Sequence, residues 1–85
     1  MALHVMYNML MSPYIPPSVI KKMAQKGISE SEVFDVFNNG EYKTTSKGIP
    51  MAVKKYSGYD VGFFYSRNSN TGEYIITAVW KRPRL

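Results

Sequence analysis

Four side chains could do metal-free phosphoryl chemistry in this sequence: Arg67, Lys54, Tyr56 and Thr77. Cleaving an RNA phosphodiester in that way needs a group to take the 2′-OH proton. It also needs a cation or donor for the charge on the phosphorane, and a proton for the leaving oxygen. Arg67 leads the set, because it follows an alternating aromatic run and carries a planar, permanently charged fork that matches phosphorane oxygens. Lys54 could act as a base only where burial or neighbouring cations depress its ammonium, and Lys55 beside it is such a cation. Tyr56 and Tyr59 flank a Ser57-Gly58 turn. They can stack on unpaired bases, a contact worth about 1 to 3 kcal/mol each, or pack on a sheet as corner tyrosines. Thr77 offers a hydroxyl that is either a site donor or bonded to a neighbour.

A second set could hold a polyanion rather than react with it: Lys55, Tyr59, Lys81, Arg82 and Arg84. The chain has 11 Lys and Arg against 6 acids, a net charge of +5. The acids gather at Glu30, Glu32 and Asp35, while most of the cations of the second half lie on predicted strands and at the end of the chain. That distribution predicts a basic face, including Lys54 and Lys55, that meets RNA phosphates by sequence-independent neutralisation. The other reading is a solvated surface. Lys81, Arg82 and Arg84 are expected either to grip phosphate as a free basic arm or to fray. Trp80 reads as a core or interface anchor before a base-stacking platform.

Composition narrows the classes. With 85 residues the chain forms one domain (1–85), and 45% hydrophobic against 20% charged residues indicates a globular fold. There is no Cys and one His, His4, so neither a disulfide framework nor a Cys/His zinc site is available. No nucleotide, dinucleotide, pyridoxal phosphate or serine-hydrolase signature occurs. No metal and no cofactor is expected.

The elements that must position these residues are organised around Ser18 to Tyr42. Gly27 stands where a helix from Pro17 needs a left-handed residue to close. Ser29 and Glu32 form a capping box for a second helix, and Ile28 with Val33 a hydrophobic staple. Val33, Val36 and Phe37 make its apolar stripe, with Glu30, Ser31, Asp35 and Asn38 facing away. Val19, Ile20 and Met23 are expected to face the core from the first helix, with Lys21, Gln25 and Lys26 in water. After Gly40 the period becomes two, which predicts strands over 42–45, 51–56, 60–66 and 73–81. Thr77 falls on one face with Ile75 and Val79 in that alternation. The fold class is therefore α+β, with two helices over 17–39 on a four-stranded antiparallel sheet over 41–82.

Residues 1–16 read as an N-terminal helix or extended arm. Leu3, Met6 and Leu10 fit a helical stripe, His4 is a weaker candidate base, and Pro13, Pro16 and Pro17 hold an extended connector. This Met-rich segment falls short of the roughly 20 apolar residues that span a bilayer and lacks secretory-signal features. No membrane span is expected.

The helix–turn–helix run resembles a family of small bacterial toxins of the BrnT and RelE kinds, whose opening reads His-Ala-x-x-Arg-Met-x-x-Arg-Gly-Ile-Ser, then Val, then Gly-Glu. The matching residues are Ser18, Val19, Lys22, Met23, Lys26, Gly27, Ile28, Ser29, Val33, Gly40 and Glu41. Ser18 stands where the family has His, and Lys22 and Lys26 where it has Arg. The resemblance, spanning roughly residues 15 to 82, implies a RelE/barnase-like fold and a metal-independent ribonuclease acting on RNA such as tRNA or mRNA. It also implies a cognate antitoxin or immunity protein, and a cytoplasmic site of action that a larger toxin could reach from outside. The group replacing the His is then expected on one concave face beside Ser18, among Arg67, Tyr56, Lys54 and Thr77. The alternatives are a non-catalytic interaction protein, phage or mobile-element borne, and a plain RNA-binding module.

Overall fold

The computed structural model describes residues 12–84. Two helices, α1 (Pro17–Lys26) and α2 (Glu30–Asn39), precede strands β1 (Glu41–Thr44), β2 (Pro50–Tyr56), β3 (Tyr59–Arg67) and β4 (Tyr74–Pro83). The strands form one antiparallel sheet in the order β1-β2-β3-β4, and both helices pack on the same face of it. This is the α+β arrangement expected from the sequence. The proposed arm, with its Leu3, Met6 and Leu10 stripe and His4, lies outside the described residues.

The local grammar explains the helices. Pro16 is extended and Pro17 takes the first turn of α1, where its missing N–H leaves nothing unpaired. Gly27 closes the helix in the left-handed region at φ 69°, and the Ile28 N–H then reaches back to the Met23 carbonyl at 2.9 Å. At the start of α2 the Glu32 N–H donates to Ser29 Oγ at 3.1 Å, and the Ser29 N–H donates to Glu32 Oε1 at 2.9 Å. The capping box is complete.

The core sits between the helices and the sheet. Val19 and Met23 enter from α1, Ile28 from the turn and Val33 and Val36 from α2, against Ala52, Val61, Phe63, Ile76 and Val79. Burying a Val, Ile, Met or Phe side chain stabilises by about 1.5 to 3 kcal/mol, so the nine of these other than Ala52 do most to hold the two layers together. Ile20, expected in the core, is 42% exposed. Val19 and Met23, four apart, already fill the inward line of α1, and Ile20 lies about 100° round the helix from Val19.

Strict alternation also fails on β4. Phe64 pairs with Ala78 but Tyr65 pairs with Ile76, so Thr77 is the extra residue of a bulge. Ile76 and Val79, three apart, are therefore both buried, and Thr77 is exposed instead of sharing a face with Val79. The connector before α1 is extended as expected and does more than span a gap. Tyr14 donates to the Tyr74 carbonyl at 2.8 Å and accepts from the Ile76 N–H at 3.0 Å, which covers part of the outer edge of β4.

Candidate nucleic-acid interface

The α1 residues Ser18, Lys22 and Lys26 recur every four positions and so form one line along the helix. They line a cleft of about 270 Å³ whose other wall is Thr77, Ala78 and Val79 of β4. The Lys26 ammonium donates to the Val79 carbonyl at 3.0 Å, which pins one N–H on the rim and leaves two further donors on the same group. Ser18, Lys22 and Thr77 are exposed. Two ammonium groups and two hydroxyls thus converge across a helix–strand seam, a donor set suited to phosphate oxygens. Thr77, the unpaired residue of the bulge, is exposed on the strand side of this cleft, beside the buried Val79.

Lys54 and Tyr56 are elsewhere. Both donate to Asp35 Oδ2 at 2.6 Å, and Asn39 donates to Asp35 Oδ1 at 2.7 Å. The bond from Lys54 first, then those from Tyr56 and Asn39, hold the Asp35 carboxyl down at about 2. Burial pushes the Tyr56 phenol up, and its bond to Asp35 adds to that. The Tyr59 hydroxyl donates to Glu32 Oε2 at 2.9 Å, and the Tyr56 and Tyr59 rings stack at 5.2 Å and 15°. Glu32 lies below its ordinary value chiefly through the Ser29 N–H, against the opposing effect of burial. Asp35, expected to face away, is instead the anchor of α2 on β2. The ion-pair partner of Lys54 is the Asp35 carboxylate.

Arg82 and Arg84 form a clamp and not a free arm. Asp60 is 4% exposed; Arg84 bonds it directly and Arg82 approaches it at 3.4 Å. Burial pushes the Asp60 carboxyl up, but Arg84 and Arg82 together outweigh it and leave the group below its ordinary value. Arg84 also donates to the Tyr56 and Tyr59 carbonyls, and its own N–H bonds the Gly58 carbonyl at 2.8 Å. Lys81 donates to the Gly27 carbonyl at 3.1 Å and lies 4.5 Å from the Tyr59 ring, so it braces the C-terminal end of α1. Arg67 folds onto its own hairpin, donating to the Gly72 carbonyl at 3.4 Å over the Tyr74 ring at 4.7 Å.

The expected constellation therefore divides. Ser18 and Thr77 share the α1–β4 cleft, Lys54 and Tyr56 fasten α2, and Arg67 closes the β3–β4 loop. Lys55 is exposed on the opposite sheet face from Lys54. Lys22 and Lys26 are the cleft residues that sequence reasoning left out of the site, although their four-residue spacing from Ser18 was available. On the face away from the helices, Trp80 lies over Gly62 with its Nε1–H buried and without an acceptor among the described residues. An unpaired buried donor costs about 1 to 3 kcal/mol.

Comparison with protein-family models, with curated proteins and with solved structures gives no match. Among the described residues, no helix is long and apolar enough to cross a membrane.

Proposed function

We propose that this protein binds RNA, taking the phosphate backbone into the cleft between α1 and β4. The observation that carries the reading is the convergence of Lys22, Lys26, Ser18 and Thr77 on one seam. Two further points support it: the net charge of +5, and the resemblance of the α1–α2 run to small ribonuclease toxins, in which these α1 positions carry His and Arg. Ammonium groups neutralise phosphate without regard to sequence, and hydroxyls fix its orientation.

Binding is favoured over cleavage because the described lining offers ammonium and hydroxyl groups and no imidazole or carboxylate to take a 2′-OH proton near neutral pH. Metal-independent ribonuclease activity is the second reading, supported by Thr77 lining the same cleft as Ser18, the position of the toxins' His. In that activity Lys22 and Lys26 would neutralise the phosphorane, and a cognate antitoxin or immunity protein would act by covering the cleft. Incubating the purified protein with total RNA in EDTA distinguishes the readings. Retention without fragments is the result expected for an RNA-binding domain, and discrete fragments would establish the second reading. No retention and no fragments would refute both and leave a protein-interaction role.

A further inference from the structure

The face of the sheet turned away from both helices carries a cleft of about 300 Å³, with Met51, Val53 and Trp80 in its lining and Lys43, Lys55 and Arg82 around them. Trp80 is seated by a missing side chain. A Cβ on Gly62 would fall 2.3 Å from Trp80 Cζ2 and 2.5 Å from Cε2, so the indole occupies the space that any other residue there would fill. Its Nε1–H is buried and finds no acceptor among the described residues. The Arg82 guanidinium stands 5.5 Å from the indole ring. The acids of the lining are already engaged: Glu41 lies 3.7 Å from Lys43, and Asp60 is held by Arg82 and Arg84.

The geometry points to a seat for one unpaired nucleobase of single-stranded RNA at Trp80, with the adjoining phosphate on Lys43, Lys55 and Arg82. A base supplies the flat apolar surface that an aromatic wall takes. The phosphate supplies the negative charge that the three cations favour. A-form duplex offers the phosphates but no open base face, because its bases are stacked and paired. The inference rests on the RNA-binding reading and adds to it a preference for single strands, on a face of the sheet different from the α1–β4 cleft.

Trp80 is the single tryptophan of the chain, so its emission reports on this face alone. The full chain is titrated with a short single-stranded RNA, and separately with the same sequence as a duplex. RNA retention on a filter is measured in parallel. The single strand is expected to quench Trp80 saturably and the duplex to leave it unchanged. Lys55→Glu should raise the concentration needed for quenching by roughly tenfold. Lys43→Glu is a second variant with the same expectation, should the first fold poorly. Retention with Trp80 emission unchanged would overturn the seat and leave the α1–β4 reading standing, whereas absence of any retention would overturn both. Equal quenching by single strand and duplex would overturn the claimed preference. Failure of acrylamide to reach Trp80 in the free protein would also overturn the seat, by showing that this face is already covered.

Discussion

Lys54 and Lys55 follow one another on β2 and serve opposite faces of the sheet. Lys54 reaches Asp35 of α2 at 2.6 Å, while Lys55 is exposed on the other side, paired in register with Asp60 of β3. Charge reversal should therefore separate them. Lys54→Glu places two carboxylates where one ion pair joined helix to sheet, and the melting temperature should drop by several degrees. Lys55→Glu should stay within about a degree or two of wild type, as exposed substitutions do. Thermal melts of the two variants check this.

The same anchor sets the acid limb of stability. Asp35 is held near 2 in the folded protein against an ordinary 3.8, by Lys54 first and then by Tyr56 and Asn39. A depressed carboxyl contributes stability that is present above its unfolded value and is lost as pH falls through its folded one. Wild type should thus lose melting temperature between about pH 4 and pH 2. Asp35→Asn should be less stable at neutral pH and flatter across that window. A melting series from pH 7 downward is the measurement.

The alkaline limb has the opposite sign. Tyr56 is raised above its ordinary 10.0 by burial and by its bond to Asp35, and Tyr42 is raised to about 12, first by burial and then by the neighbouring Tyr74 and Tyr65. The stability these phenols contribute is complete below pH 10.0 and is lost as pH rises toward their folded values. Tyr56→Phe should remove part of that loss above pH 10.0 while lowering stability at neutral pH. Ultraviolet titration of tyrosinate in parallel should show a late-ionising fraction that shrinks in the variant.

Substitutions at two helix ends test the frame that holds the cleft. Ser29→Ala removes the side-chain acceptor of the capping box and should cost about 1 kcal/mol. Gly27 has φ 69° and open space where a Cβ would stand, so Gly27→Ala should cost roughly 1 to 2 kcal/mol through backbone conformation alone. Gly27→Val should cost more, since branching at Cβ tightens the same restriction. Denaturant unfolding with unchanged slopes would assign these losses to the native state.

The fold was legible because its signals are local. Gly27, Ser29 with Glu32, and the change of period after Gly40 each act within a few residues of themselves. The candidate site was legible only in part, because its groups are assembled by long-range geometry. Alternation could have separated Lys54 from Lys55, but the partner that captures Lys54 lies on α2 and comes from the packing of helix on sheet. The bulge at Thr77 leaves no reliable mark in the sequence, yet it gives the buried face of β4 to Ile76 and Val79 and leaves Thr77 exposed at the cleft. Arg84 looked like part of a basic tail, and its use became apparent only where β4 brought it beside buried Asp60. Lys22 and Lys26 could have been found from helical spacing alone, since they stand one and two turns beyond Ser18.

The most direct measurement is the affinity of a single-stranded RNA for wild type and for Lys22→Glu across a range of salt concentrations, with Glu30→Lys as a control of opposite charge change. Lys22 is exposed on the wall of the α1–β4 cleft, and Glu30 lies in the first turn of α2. If phosphate enters that cleft, wild-type affinity falls with salt by about 0.7 in log units per phosphate contact, and Lys22→Glu loses both affinity and about one contact's worth of slope. Glu30→Lys keeps the wild-type slope or steepens it. Wild-type affinity and slope in Lys22→Glu would contradict the account.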